Sequence, residues 1–196
     1  MVVAGGKITT INVTNGGSKY PTVYDRCVGK WRREYEINLP PVREKNYTSC
    51  NFPIIRYADV LLMFAEADLM INGTPSPTAL EYYNQVRRRA YGYTNITNPV
   101  PGFDVATFTF QNIVDERARE LCFEGLRRAD LIRWGIMTNV MESLKSYNII
   151  NAPTAYSVTS TAAASNYLSN PTKYALLPIP QLELTYDKAL MQNPGW

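Results

Sequence analysis

The stretch that decides the fold is Arg56-Tyr-Ala-Asp-Val-Leu-Leu-Met-Phe-Ala-Glu-Ala67, which continues through Asp-Leu-Met-Ile to Asn72-Gly73. Large apolar residues occupy most of its helical circumference, so we predict a helix that is buried on several sides. Asn72-Gly73 is a typical helix end, because glycine readily adopts the left-handed conformation that stops a helix.

A second helix follows at once. Ser76-Pro77 is a helix start, and the pattern runs from there to Tyr91-Gly92. Residues 56–91 thus predict one helix-turn-helix unit of about 35 residues, near the tetratricopeptide period. Ala67 and Ala79 are expected at the small positions where the two helices cross.

The rest of the C-terminal half is also mainly helical. Leu126–Trp134 and Met137–Leu144 are expected to follow a helix at Phe110–Glu124, and a loop from Tyr93 to Thr107 precedes that helix. The ending, from Tyr174, is predicted to be extended around Pro178 and Pro180, with a short helix near Leu182–Leu190.

The chain of 196 residues, 45% of them apolar, is long enough for a single domain with its own core. Glycines and prolines punctuate residues 1–53 too often for long helices. We therefore predict one domain over 1–196 with a mainly α fold: an irregular, loop-rich segment at 1–53, a helical core at 54–146, a loop insertion at 147–173 and an extended ending at 174–196.

Histidine is absent, which excludes Ser-His and Cys-His nucleophile systems and histidine-based zinc sites. No CxxC pair and no phosphate-binding loop occur either, so neither a metal nor a cofactor is expected. Arg87-Arg88-Arg89 is the only basic run, and at a helix C-terminus such a run favours a role with the helix dipole over nucleic-acid binding.

Three cysteines carry little information on function. Cys122 lies in an apolar helical stretch and is expected to be a small buried residue. Cys27 and Cys50 share one loop-rich segment and form a candidate pair in an oxidising compartment, although the spacing of a disulfide framework is missing.

Acidic and basic residues cluster on the predicted helices. Glu116, Glu120 and Glu124 form one stripe at i, i+4 and i+8. The stripe has two interpretations: a carboxylate pair for glycoside hydrolysis, or an Arg–carboxylate network between helices. Nearby arginines lower carboxylate pKa values, which favours the structural network. We assign that network to Arg56, Asp59, Glu66, Glu116, Glu120, Arg127, Asp130 and Arg133.

Aromatic residues are scattered through the N-terminal loops. Sugars present flat apolar faces ringed by hydroxyls, so a sugar-binding site needs an exposed ring with hydrogen-bonding groups nearby. Trp31, with Tyr20, Tyr24 and Arg32, has this chemistry. These four residues are the predicted ligand-binding residues.

Five motifs together resemble the SusD/RagB family. The helix at Arg56–Ala67 is similar to the family's signature helix. The other four follow it in the family's order: Asn84-Gln-Val-Arg-Arg-Arg-Ala90, Glu116-Arg-Ala-Arg-Glu-Leu-Cys-Phe-Glu-Gly-Leu-Arg127 with Asp130-Leu-Ile-Arg-Trp-Gly135, Leu177-Pro-Ile-Pro180 and Gln192-Asn-Pro-Gly-Trp196.

This resemblance implies a largely α-helical lipoprotein with tetratricopeptide-like helix pairs, on the outer membrane of Bacteroidetes. Such proteins capture oligosaccharides, or in some members peptides, and pass them to a SusC-like TonB-dependent transporter. They bind ligands without catalysis, so the resemblance implies no catalytic residue.

Family members are several hundred residues long, so the resemblance implies that this chain matches only their C-terminal part. The N-terminus, Met-Val-Val-Ala-Gly-Gly-Lys, lacks the pattern of a secretory signal, which indicates either a cytoplasmic protein or a missing N-terminus. An alternative function, from a different class, is a helical docking module that binds a transporter and has no ligand site of its own.

Overall fold

The computed structural model describes residues 2–4, 7–10, 30, 51–154 and 157–196. Over these residues the fold is mainly α, which confirms the predicted fold class. Two short strands, β1 (Val2–Ala4) and β2 (Lys7–Thr10), pair in antiparallel orientation. All other regular structure in the described ranges is helical.

The predicted helix-turn-helix unit is present as α1 (Tyr57–Asn72) and α2 (Pro77–Ala90). Gly73 ends α1 in the left-handed conformation, with φ of 74°, and its N–H donates to the carbonyl oxygen of Leu69 at 2.8 Å. The side chain of Ser76 caps α2 by accepting from the backbone N–H of Ala79 at 3.2 Å. Both ends therefore lie where the glycine and serine signals place them.

The main core lies between α1, α2 and the helix that follows them, α3 (Phe110–Glu120). Ala79 is fully buried, as predicted. The prediction for Ala67 is wrong: it is exposed, and the small buried residue of α1 is Ala65. Residues two positions apart in a helix differ by about 200° around its axis, so Ala67 lies on the face opposite Ala65.

The expectation that α1 is buried on several sides is also wrong. Its buried residues follow one stripe, and α2 and α3 both pack there. The opposite side carries an apolar stripe that is more than 40% exposed at Val60, Met63 and Phe64 and more so at Met70 and Ile71. We call these five residues the α1 stripe.

Helix α3 ends at Glu120, four residues before the predicted end. Phe123 has φ of 63° and Gly125 has φ of 79°, and a helix cannot continue through left-handed residues. Cys122 falls in this turn and is exposed, so the prediction that it is buried is wrong. Helix α4 (Arg127–Arg133) starts after the turn.

Residues 147–173 do not form the predicted loop insertion. Helix α5 (Met137–Asn151) extends seven residues beyond the predicted Leu144, and α6 (Ser157–Ser169) and α7 (Pro171–Ala175) follow. Helices α5 and α6 pack together, with Ala164 and Tyr167 buried. The segment is rich in Ser, Thr and Asn, but alanine has the highest helix propensity, and Ala162-Ala-Ala164 supports α6.

The C-terminal segment is partly as predicted. No helix includes Leu176–Pro180, and α8 (Gln181–Tyr186) is shorter than the predicted Leu182–Leu190 helix. The side chain of Gln192 accepts from the backbone N–H of Ile179 at 2.7 Å and donates to its carbonyl oxygen at 2.9 Å, in the manner of a strand partner. This pair holds the ending against the Pro-Ile-Pro segment.

Trp134 joins the two halves of the described fold. Its ring packs against the main core and against a second cluster of Leu131, Met137 and Tyr167. It also meets the ring of Phe110 edge-on at 5.6 Å between centroids. The short α4 helix is thereby fixed between α3 and α5.

Candidate functional site

The predicted ligand-binding residues Trp31, Tyr20, Tyr24 and Arg32 lie outside the described residues, and so does the candidate Cys27–Cys50 pair. The functional geometry of the described residues consists of two parts. One is a buried ion-pair network, and the other is the ordered loop that follows α2.

Arg117 is the centre of the ion-pair network. Its Nη1 donates to Asp59 on α1 at 2.8 Å, and its Nε donates to Asp130 on α4 at 2.8 Å. All three side chains are at least 94% buried. One guanidinium from α3 therefore ties three helices together, in a forked geometry that only arginine provides.

Glu66 extends the network two turns further along α1, on the same face as Asp59. Arg133 donates to both carboxylate oxygens, at 2.7 Å to Oε2, and the indole N–H of Trp134 donates to Oε1 at 2.7 Å. Burial alone raises the pKa of Glu66, but these charged and polar donors outweigh it and the net pKa is lowered. Arg133 also pairs with Asp130, which connects this group to Arg117.

A third group holds the turn after α3. Arg56 donates to Glu124 at 2.7 Å and to Glu120 at 2.8 Å, and Lys30 pairs with Glu124 as well. Lys30 also donates to the carbonyl oxygens of Glu120, at 2.9 Å, and Cys122, at 3.1 Å. These bonds stabilise a turn in which a phenylalanine adopts the left-handed conformation, which is costly for a non-glycine residue.

Seven of the eight residues assigned to the network form ion pairs. Six of them belong to the three groups above, and Glu116 pairs with Arg119 at 2.7 Å. The assignment of Arg127 is wrong, because among the described residues it forms no ion pair. Its Nη1 donates instead to the carbonyl oxygen of Val114 at 2.9 Å. The carbonyl oxygen accepts one guanidinium N–H in place of an acid, and burial lowers the pKa of Arg127.

All three acids of the Glu116, Glu120 and Glu124 stripe are buried and ion-paired. The pKa of Glu124 is lowered: burial raises it, but the hydrogen bonds from Arg56 and Lys30 reverse the effect. A carboxylate held in its charged form cannot serve as a proton donor near neutral pH. The stripe therefore has the geometry of a structural network.

The lowered pKa values predict how stability depends on pH. Glu66, Glu81, Asp104 and Glu124 all have a lower pKa in the folded state than their ordinary values. Their contribution is therefore fully present above the unfolded-state pKa of about 4 and is lost as pH falls through the folded-state values. Because the chain has no histidine, we expect stability to be nearly constant between about pH 5.5 and 7.5.

Urea unfolding at fixed ionic strength from pH 7.5 to 3 measures this profile. Glu66→Gln is expected to flatten part of the acid limb, whereas Glu142→Gln, at an exposed site, leaves it unchanged. Stability that already declines at pH 6.5, or that increases on acidification, contradicts the assignment.

A second arginine cluster orders the loop after α2. Arg88 is the largest fully buried side chain of the described residues, with 1% exposure. It donates to Asp104 at 2.9 Å, to Glu81 at 2.8 Å and to the carbonyl oxygen of Ile96 at 2.7 Å. Asp104 in turn accepts from the backbone N–H of Val100 at 2.9 Å.

Asn84 fixes the far end of the same loop. Its side chain donates to the carbonyl oxygen of Val105 at 3.1 Å and accepts from the N–H of Val105 at 3.0 Å. Two side chains one helical turn apart on α2 thus hold this loop at Ile96, Asp104 and Val105. The sequence interpretation of Arg87-Arg88-Arg89 as a response to the helix dipole does not include this role, because Asp104, the loop acid that Arg88 binds, is 16 residues away.

Three aromatic rings meet at the start of this loop. The Phe103 ring lies 4.8 Å from the Tyr91 ring and 5.1 Å from the Tyr93 ring, centroid to centroid. The guanidinium of Arg87 lies 5.3 Å from the Phe103 centroid and 5.9 Å from that of Tyr83. Burial and the charge of Glu116 raise the pKa of Tyr83 to about 12, so its ring stays neutral beneath the cluster.

The described ranges contain neither a membrane-spanning helix nor a cluster of metal-ligating side chains. None of the helices there combines the length and apolar character that crossing a membrane requires. Nor do three or more of the Cys, Asp and Glu side chains in these parts of the chain converge as a metal site would need.

Comparisons with known proteins give the relatives of this chain. A SusD family model matches residues 24–196. The chain is 42% identical over 97 residues to SusD-like protein P25 of Formosa agariphila, which is 50% of this chain and 18% of that protein. It is 30% identical over 167 residues to the starch-binding protein SusD of Bacteroides thetaiotaomicron, which is 85% of this chain and 25% of that protein.

A solved structure gives the same relationship. The crystal structure of a SusD homologue from Bacteroides thetaiotaomicron matches with a TM-score of 0.64 at 31% identity, over 85% of this chain and 31% of that one. The chain thus spans less than a third of the length of each of these relatives. The resemblance indicated by the five ordered motifs is confirmed, and the chain belongs to the SusD family.

Proposed function

We propose that this chain takes part in capturing oligosaccharides at the bacterial outer membrane, as the C-terminal part of a binding lipoprotein that delivers them to a SusC-like TonB-dependent transporter. The observation that carries the proposal is the match to a starch-binding relative over 85% of the chain. A peptide is the second ligand class that the family resemblance implies.

The role proposed for the chain is binding without catalysis. The acids that are closest to a glycosidase arrangement are all ion-paired, and a charged, paired carboxylate is a poor proton donor. In this proposal the ion-pair network holds α1, α3 and α4 together, and loops on this scaffold contact the ligand. Trp31, Tyr20, Tyr24 and Arg32 remain proposed ligand-binding residues.

Calorimetric titration of the 196-residue chain with a panel of oligosaccharides, maltoheptaose among them, tests the proposal. We expect binding in the micromolar-to-millimolar range, about −8 to −4 kcal/mol. Trp31→Ala is expected to weaken it about tenfold, since a stacked ring would be lost. Tyr186→Ala, which removes an exposed ring on α8, is the matched control. A folded chain that produces no heat with any glycan contradicts the proposal.

One observation favours the alternative, a docking module. The α1 stripe presents five apolar side chains over about three helical turns, and such a stripe fits an amphipathic helix with a complementary apolar face. Helix pairs of repeat proteins bury their apolar faces by stacking on neighbouring helices. In this alternative the chain binds a purified SusC-like transporter, Met63→Glu weakens that binding, and no glycan binds.

A further inference from the structure

Tyr91 and Tyr93 stand at the start of the loop that Arg88 and Asn84 order. Their side chains are exposed, at 42% and 40%, while the Phe103 ring between them is half-buried. Gly92 separates them with φ of 86°, a left-handed conformation that lets the chain turn sharply between the two tyrosines. Single exposed aromatic residues are common, but exposed rings grouped in one place mark a candidate contact surface.

The geometry keeps the two rings close to each other. Each contacts Phe103, at 4.8 and 5.1 Å between centroids, so the Tyr91 and Tyr93 centroids are at most 9.9 Å apart, the sum of these distances. Neither phenol hydroxyl hydrogen-bonds to another described side chain or backbone group in residues 51–154. Two apolar faces with free hydroxyls at their edges are therefore available within one small area.

The loop is ordered by hydrogen bonds that do not involve the tyrosine side chains. The backbone N–H groups of Tyr91, Gly92 and Tyr93 all donate to carbonyl oxygens in the last turn of α2, at 3.0 Å each. Beyond them, Arg88 binds Asp104 and the carbonyl oxygen of Ile96. Rings fixed before binding lose little conformational entropy when a ligand arrives, which favours affinity.

Arg87 adds charge beneath the rings. Its guanidinium lies over Phe103, its contact with Glu116 is long at 3.8 Å, and its buried Nε has no hydrogen-bond acceptor among the described residues. Aromatic contact therefore fixes this side chain more than hydrogen bonding does. A cation on one side of an aromatic cluster leaves the outer ring faces to contact apolar C–H groups of a ligand.

We propose that Tyr91 and Tyr93 form a stacking platform for the sugar rings of an oligosaccharide. Sugar rings combine flat C–H faces with peripheral hydroxyls, which match the faces and free hydroxyls of the two tyrosines. The inference rests on the proposed oligosaccharide capture and adds a contact surface separate from the Trp31 group. The ordered loop between α2 and α3 provides the platform, and the clamp by Arg88 positions it.

The experiment titrates the 196-residue chain with the same glycan panel, comparing wild type with Tyr91→Ala/Tyr93→Ala. We expect the double variant to bind at least about tenfold more weakly, the equivalent of one lost stacking surface. Tyr91→Phe/Tyr93→Phe keeps the rings and is expected to lose less than about threefold. Tyr147→Ala/Tyr186→Ala removes two exposed rings elsewhere and serves as the matched control, with affinity unchanged.

Each outcome has a distinct meaning. If wild type binds a glycan and the double alanine variant binds equally well, the platform is overturned and the proposed capture stands. If the wild type binds no glycan, the proposed capture fails for this chain and the platform fails with it. Should the double variant unfold by circular dichroism, Tyr93→Ala alone decides, since it removes one exposed ring and leaves the Tyr91–Phe103 contact in place.

Discussion

Replacing Arg117 with methionine is expected to lower the free energy of unfolding by about 3–5 kcal/mol, the largest effect of any single substitution in the network. The side chain is 96% buried and pairs with two carboxylates that are equally inaccessible. Its removal leaves the buried Asp59 without an ion-pair partner among the described residues, whereas Asp130 keeps its pair with Arg133. An uncompensated buried carboxylate is expensive. Urea unfolding monitored by circular dichroism measures the change.

The size of the effect follows from the carboxylate that is left behind, so it can be partly reversed. Adding Asp59→Asn to Arg117→Met removes the carboxylate that lost its partner and is expected to recover part of the lost stability. Arg119→Met is the matched control on the same helix, since Arg119 is 52% exposed and its ion pair contributes about 1 kcal/mol or less. Equal losses for Arg117→Met and Arg119→Met contradict the role of burial.

Arg88→Met is expected to cost about 2–3 kcal/mol and to loosen one loop selectively. Its partners Glu81 and Asp104 are partly exposed, so water can solvate them once the guanidinium is gone, and the loss stays below that of Arg117. The Ile96 carbonyl and the Asp104 carboxylate would lose the donor that holds residues 91–105. Amide hydrogen exchange in that segment should therefore accelerate more than in α1.

Arg89→Met provides the comparison, because Arg89 is the next residue, is 53% exposed and pairs with Glu120 across the protein instead of with the loop. It is expected to leave exchange in residues 91–105 unchanged. Arg88→Met with unaltered loop exchange would show that Asn84 alone orders the loop. If the loop positions the tyrosine platform, Arg88→Met also weakens glycan binding without touching the ligand.

The sequence predicts correctly those features that depend on neighbouring residues, and it fails where contacts join residues far apart in the chain. The ends of α1 and the start of α2 depend on local signals, Gly73 and Ser76, and these were predicted correctly. The end of α3 was placed too late, because the left-handed turn at Phe123 is held by Arg56 and Lys30, far away in the chain. The polar composition of residues 147–173 predicts a loop, but the alanines at 162–164 favour the helix that forms there, α6.

The candidate site divides in the same way. The residues of the ion-pair network could be named from charge spacing on helices, but their pairing could not. Glu66 pairs with Arg133 across 67 residues and Arg117 with Asp59 across 58. Arg127 has the same side chain as Arg117 and Arg133, yet it donates to the backbone carbonyl oxygen of Val114 and not to an acid.

The sequence by itself determined the family, the mainly α fold and the helix pair at 56–91, because these depend on residue order and on local helix signals. Only the tertiary structure decided which face of α1 is buried, which acid each arginine binds and that Tyr91 and Tyr93 share an aromatic cluster with Phe103. Those features arise from contacts between residues distant in the chain, and such contacts depend on how the helices pack, which local sequence patterns do not specify.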